Sequence, residues 1–145
     1  MNLTCFLVVC AVAPAGENLA IEDFTGLHQR SPFLAVILAI GLFALAGIPP
    51  FVGFTGKFML LVNAFKQGHV LAVVLAALNT AIAIYYYLSV VRVAYCSDPE
   101  GPASQLAPGG LTTAVSVLLL IVIVAMGILP GAFLNLTSAA VGTIL

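Results

Sequence analysis

The chain has 145 residues, of which 63% are hydrophobic and only 6% are charged, whereas about a quarter of the residues in a soluble domain are charged. Four basic and five acidic residues give a net charge of −1 and form no basic cluster that could neutralise nucleic-acid phosphates. The composition therefore predicts a protein of the lipid bilayer and excludes a soluble domain and nucleic acid as a partner. Since one helical span needs about 20 mostly apolar residues, the apolar segments supply three or four spans.

The first apolar segment is too short to span a bilayer alone. It also lacks the basic start of a signal peptide, so residues 1–15 are predicted to be the end of a helix whose beginning is missing. Residues 16–31 carry three of the five acidic residues and are predicted to form a surface loop with a short amphipathic turn. The chain has three cysteines that form no CxxC motif, Cys5, Cys10 and Cys96. The first two lie in the apolar N-terminal run, where apolar packing is the expected role.

Residues 32–66 consist of two apolar blocks interrupted by the sequence IPPFVG. As one straight helix this segment would be about 53 Å long, too long for one regular span and too short for two. Successive prolines at Pro49 and Pro50, with Gly53 and Gly56 nearby, oppose a continuous helix. We therefore predict an all-α membrane protein with one discontinuous transmembrane helix, broken at Pro49-Pro50.

The remaining apolar runs predict two further transmembrane helices. Residues 70–95 form the longest run, and residues 111–130 form the last span. The intervening residues 96–110 are rich in proline and glycine and are predicted to be a loop.

The basic residues give an expected orientation, because cytoplasmic loops tend to hold more lysine and arginine than the other side. Arg30 and Arg92 flank loops on one side of the membrane if the broken helix crosses once, and Lys66 then falls on the other side. This pattern places the loops 16–31 and 96–110 in the cytoplasm.

Lys57 lies a few residues beyond the break and is the only charged residue between Arg30 and Lys66. A lysine at the centre of a membrane helix costs about 2.5 kcal/mol on insertion scales. Non-helical backbone is tolerated at that depth only where protein buries it or where it lines a wet cavity. Lys57 is therefore a candidate proton carrier beside the break. In the alternative interpretation, the break is a tight loop and Lys57 extends to a membrane surface.

Other polar side chains could continue a hydrated path from Lys57, because such a path needs hydroxyl and amide groups at short separations. Asparagine and threonine in a membrane helix also serve simply to bond neighbouring helices, and tyrosines are common at membrane interfaces. His69 is expected to be a loop residue. The candidate path residues are Thr55, Asn63, Asn79, Thr80 and Tyr86.

Three stretches of sequence together resemble one known family. They are IEDFTGL (residues 21–27), AGIPPFVGFTGKF (residues 46–58) and LNTAIAIYYYLSVVR (residues 78–92). They resemble the C-terminal third of the N-subunit family of proton-pumping NADH:quinone oxidoreductase, respiratory complex I, which is related to the Mrp sodium/proton antiporters. In that family a discontinuous helix carries a lysine after its break, and Lys57 matches this residue. The resemblance implies that Lys57 passes protons from a central hydrophilic axis towards the periplasmic exit.

The resemblance also implies partners and a location. The chain would be a multi-pass inner-membrane subunit of a redox-driven proton translocase, in contact with lipid and with other complex I membrane subunits. NADH, FMN, iron–sulfur clusters and quinone would be bound by other subunits, so no cofactor or metal site is expected here. The family's earlier helices are absent, so we expect a fragment, a truncated gene model or half of a split subunit. An Mrp-type antiporter subunit and a non-transporting scaffold remain alternatives.

Overall fold

The computed structural model describes residues 1–13, 20–97 and 109–131. These residues form helices and turns without a β-strand, and the prediction of an all-α protein is confirmed for this part of the chain. Most of the predicted loop 96–110 and residues 16–19 of the N-terminal loop lie outside the described residues. A 3₁₀ turn, Ile21–Phe24, precedes α2. The helices are α1 (Asn2–Val12), α2 (Leu27–Arg30), α3 (Pro32–Ala46), α4 (Val52–Lys66), α5 (Val70–Cys96) and α6 (Gly110–Ile128).

Two of these helices are long and apolar enough to cross a membrane, α5 with 27 residues and α6 with 19. At 1.5 Å per residue they are about 40 and about 28 Å long, which matches a hydrocarbon core of about 30 Å. α3 and α4 have 15 residues each and are about 22 Å long. Each of these two helices is therefore too short to cross alone, and only the pair can complete a crossing.

The break between α3 and α4 consists of residues 47–51, which are not helical. It contains Pro49 and Pro50, joined by a cis peptide bond. Proline supplies no N–H to a helix and clashes with the preceding turn, so the helix cannot continue through this pair. The prediction of a helix broken at Pro49-Pro50 is confirmed.

α3 is the central helix of the described protein and contacts each of the other five helices. Its sequence, PFLAVILAIGLFALA, contains no polar side chain, and nine of its residues are buried. Leu34 and Leu38 share one apolar cluster with Val8 of α1 and Ala94 of α5. Because lipid tails are as apolar as leucine, close packing and not escape from water holds such helices together.

The polar segment before α3 packs on the end of α5. The Nδ1 atom of His28 lies 3.1 Å from the carbonyl oxygen of Ala94, and its ring stacks on Tyr95 with centroids 5.8 Å apart. Arg30 donates a hydrogen bond of 3.3 Å to the carbonyl oxygen of Asp23. These contacts bring the start of α3 and the end of α5 to the same end of the helix array.

Candidate functional site

The break exposes the C-terminal carbonyl groups of α3, which have no partner within that helix. Any α-helix leaves its last four carbonyls unsatisfied, and inside a membrane no bulk water replaces the missing donors. In α3 these carbonyls belong to residues 43–46. The groups that contact these carbonyls therefore determine the free-energy cost of the break and the kind of group that it can bind.

Gly47 ends α3 in the left-handed conformation, with φ of +84°. This turn directs the N–H groups of Gly47 and Ile48 back onto the carbonyl of Phe43, each at 3.1 Å. Glycine adopts this backbone conformation without the steric cost that a Cβ atom brings. The first of the four carbonyls is therefore capped by the backbone itself.

Lys57 caps the last two carbonyls. Its Nζ atom donates hydrogen bonds of 2.8 Å to the carbonyl of Leu45 and of 3.1 Å to that of Ala46. The ammonium group also lies at the negative end of the α3 dipole, where a cation is stabilised. The positive charge of Lys57, which is costly in a membrane, is thus stabilised by carbonyl oxygens that have no partner within α3 because the helix ends there.

The position of Lys57 depends on close contact between the two half-helices. The carbonyl oxygen of Ala44 lies against Gly53, and a Cβ atom on Gly53 would overlap it. The Cδ atom of Lys57 lies 3.1 Å from the point where a Cβ on Gly47 would stand. All four terminal carbonyls of α3 are therefore covered by backbone or by the lysine. The contact of Gly53 with Ala44 and that of Gly47 with the Lys57 side chain both require glycine.

A groove of about 260 Å³ opens beside Lys57 between α4 and α5. Thr80 contributes the only hydroxyl group among the side chains that line this groove. Its Oγ1 atom donates to the carbonyl of Ala76, one turn earlier in α5, at 2.8 Å. The structure thus brings Lys57 and Thr80 to one groove, whose other lining residues are Gly47, Phe54, Phe58, Leu61, Ala77, Ala81 and Ile84.

The remaining candidate path residues lie away from this groove. Asn63 lines a separate cavity of about 330 Å³ with Phe58, and Asn79 is exposed on α5. Tyr86 is 64% exposed, with its ring edge against Tyr85 at 5.9 Å. Thr55 is partly buried in α4 but does not line the groove.

Two other residues singled out in the sequence also lie outside the contacts of the break. Gly56 has open space where its Cβ would stand. His69 is exposed and precedes the first residue of α5. Neither of these two residues contributes to the capping of α3.

Sequence reasoning missed two glycines that shape the site, Gly47 and Gly127. Gly127 of α6 lies against the backbone of the break at Pro50. A glycine before a proline pair and an isolated glycine in an apolar helix are both recognised signals of close approach or of a helix end. In this sequence they stood among 13 glycines, and nothing local separated them from the others.

Within residues 1–13, 20–97 and 109–131, no group of three or more histidine, cysteine, aspartate or glutamate side chains could hold a metal ion.

The chain is similar to known membrane proteins over most of its length. Residues 1–83 match a family described as "NADH:quinone oxidoreductase/Mrp antiporter, TM". NADH-quinone oxidoreductase subunit N 2 of Opitutus terrae is 45% identical over 144 residues, which are 99% of this chain and 30% of that protein. The protein of the same name in Solidesulfovibrio magneticus is 45% identical over 142 residues, or 98% of this chain.

A solved structure gives the same result for the fold. Respiratory complex I from Thermus thermophilus with bound aureothin contains a chain that superposes with a TM-score of 0.77 at 27% identity, over 88% of this chain and 29% of that one. The present chain spans about 30% of the length of the two named relatives.

Proposed function

The chain belongs to the NADH:quinone oxidoreductase/Mrp antiporter family of membrane proteins, and from this premise we propose that it contributes to proton translocation coupled to electron transfer from NADH to quinone. In this proposal Lys57 is the proton carrier. The electron-transfer chemistry belongs to other subunits. This chain supplies a membrane site where a proton is held and released.

The observation that carries the proposal is the hydrogen bonding of Lys57. Its ammonium group binds the carbonyls of Leu45 and Ala46, and it lines the groove that contains Thr80. A proton carrier needs a state in which the charge is stabilised and a route by which the proton leaves. The carbonyls provide the stabilised state, and the groove beside Thr80 provides space for water to reach Nζ.

The proton is released only when the side chain loosens its hold on α3, because the two carbonyls accept hydrogen bonds from the charged group. A change in the charge or hydration around the groove would shift the balance between the bound and the released proton. Electron transfer elsewhere in the complex would supply that change. The bonding of Lys57 to α3 is therefore part of the mechanism and not only of the fold.

A purely structural role for Lys57 as a helix cap makes a different prediction, and two substitutions separate the roles. Lys57→Met removes both the charge and the hydrogen bonds. Lys57→Arg keeps a charged donor, but arginine remains protonated in proteins. If Lys57 carries protons, both variants should lose proton pumping, by about 100-fold or to the detection limit. Assembly should persist, above all in Lys57→Arg.

The measurement compares proton uptake with NADH oxidation in inverted membrane vesicles that contain the complete complex. Full pumping in Lys57→Met would remove the lysine from the mechanism and favour a scaffold. Full pumping in Lys57→Arg together with loss in Lys57→Met would assign Lys57 to capping alone.

An Mrp-type sodium/proton antiporter subunit is a second candidate, because the matching family includes such antiporters. The two functions differ in their partners. Co-purification of the chain with NADH dehydrogenase activity supports the first. Sodium-driven proton movement in vesicles without NADH supports the second.

A further inference from the structure

The last helix, α6, meets the break at a single glycine. A Cβ atom on Gly127 would overlap the carbonyl oxygen of Pro50 and would stand 2.7 Å from the backbone nitrogen of Val52 and 2.8 Å from the carbonyl carbon of Phe51. Real Cβ atoms essentially never approach other atoms within 3.0 Å. The backbones of α6 and of the break therefore touch without a side chain between them.

The nature of these neighbours makes the contact rigid. A Cβ on Gly41, in contrast, would meet the Cys5 Sγ atom at 2.8 Å, and a cysteine side chain can rotate away. The neighbours of Gly127 are main-chain atoms of residues 50–52, which can move only if the chain itself moves. An added carbon atom at Gly127 must therefore displace either α6 or the break.

The contacted segment is also the one that sets where α4 begins. Phe51 is the residue before the first turn of α4, and its carbonyl accepts a hydrogen bond of 3.0 Å from Phe54. Within the same turn, Gly53 lies against the Ala44 carbonyl of α3. The first turn of α4 is thus clamped between the end of α3 and Gly127 of α6.

Lys57 lies little more than one helical turn beyond this clamp. Its hydrogen bonds to α3 are 2.8 and 3.1 Å long, within the narrow range over which such bonds are strong. A displacement of α4 by one carbon radius would lengthen or break at least one of them. A shift of α6 relative to the break would therefore change the position of the Lys57 ammonium group relative to the carbonyls of α3.

We propose that Gly127 is a positioning residue for Lys57: it lets α6 fix the start of α4 so that the lysine reaches the carbonyls of α3. The proposal rests on the proposed proton-carrying role of Lys57. It assigns a part in proton translocation to a helix that contributes no ionisable side chain in its described residues, Gly110–Ile128.

The test uses Gly127→Ala in the complete complex, with Gly110→Ala as the matched control. Gly110 lies on the same helix and has open space where its Cβ would stand. Proton uptake per NADH oxidised, measured in inverted vesicles, does not depend on how much complex assembles. We expect this ratio to fall about tenfold in Gly127→Ala, since displacements of about 1 Å at a reacting group can cost as much as about 100-fold. Gly110→Ala should leave it unchanged.

A double variant separates positioning from general damage. If Gly127 acts through Lys57, Gly127→Ala should lower the melting temperature of the complex less in the Lys57→Met background than in the unmodified complex, because the hydrogen bonds that it disturbs are already absent there. An unchanged ratio in Gly127→Ala, or an equal fall in melting temperature in the two backgrounds, overturns the proposal. Full pumping in Lys57→Met alone refutes the role of the lysine instead, so the two failures are distinguishable.

A second variant keeps the test decisive if Gly127→Ala yields no assembled complex. Gly53→Ala adds a Cβ atom in the first turn of α4, against the Ala44 carbonyl of α3, and leaves Gly127 unchanged. The ratio of pumping to NADH oxidation should fall in this variant too, because the first turn of α4 is displaced from the α3 side of the clamp. A ratio equal to that of the unmodified complex overturns the proposal.

Discussion

The break and α3, the helix that leads into it, differ from α5, the unbroken helix beside them, in how each meets its surroundings. Nine of the 15 residues of α3 are buried, whereas Ala94 is the one buried residue among the 27 of α5. Close contacts at the break join backbone to backbone or backbone to ammonium, and glycines permit them. Several large side chains of α5 instead point outwards, with Leu71 74% exposed and Leu78 58% exposed.

This difference follows from hydrogen bonding. A continuous helix satisfies its own backbone, so α5 can face lipid or another protein at little cost. A break leaves carbonyl and N–H groups without partners, and each would cost several kcal/mol in hydrocarbon. Irregular backbone in a membrane must therefore lie where other segments cover it. At the break that cover comes from α6 and Lys57.

Among the substitutions at the break, Gly53→Ala should have the largest effect on stability, because it places a carbon atom on the Ala44 carbonyl, where neither backbone can yield. Overpacking of this kind costs about 1–3 kcal/mol and occasionally more, and we expect the upper end. The stability of the chain in detergent, followed by loss of helical signal on heating, measures the effect. Gly56→Ala on the same helix is the control and should be close to neutral, because nothing lies within 4 Å of its Cβ position. Equal stability of the two variants would show that the half-helices do not touch as described.

Gly47→Ala should have an intermediate effect. The left-handed backbone at +84° costs a residue with a Cβ about 1–2 kcal/mol. The new methyl group would also press on the Lys57 side chain at 3.1 Å. We therefore expect pumping to fall more than stability alone explains, and the ratio of proton uptake to NADH oxidation measures this. A fall in stability with an unchanged ratio would show that Gly47 supports the end of α3 but does not influence pumping through Lys57.

Leu78→Ala on α5 should have the smallest effect, within about 0.5 kcal/mol, as is usual for exposed positions. Leu34→Ala on α3 is its buried counterpart, with no exposed surface, and should cost about 2–5 kcal/mol. Heating the isolated chain in detergent compares the two variants. If Leu78→Ala is as damaging as Leu34→Ala, the outer face of α5 is packed against another protein segment.

Much of this contrast could be predicted from the sequence. The all-α class and the break at Pro49-Pro50 follow from composition and from proline chemistry, and both are confirmed. The family resemblance, carried by three stretches of residues, is confirmed as well. The role of Lys57 as a proton carrier and the cytoplasmic position of the two loops stay predictions.

The partners of these residues could not be predicted. Lys57 reaches Leu45 and Ala46, and Gly127 reaches Pro50, because separate helices come together in a way that no local pattern encodes. The candidate path residues show a related limit. Asn79 and Thr80 are adjacent polar residues of α5, yet Thr80 lines the groove and Asn79 is exposed outside it. Choosing between them required the packing of α5 against α4.

The glycines of the break restrict how its sequence can change by mutation. Any single-base change in a glycine codon that alters the residue introduces a Cβ atom. At Gly53 and Gly127 that atom meets main-chain atoms, and at Gly47 it meets both an unfavourable backbone conformation and the lysine stem. No single-step replacement at these three positions is therefore neutral. We expect the line of descent of this protein to have kept all three glycines while side chains on the outer face of α5 were exchanged freely.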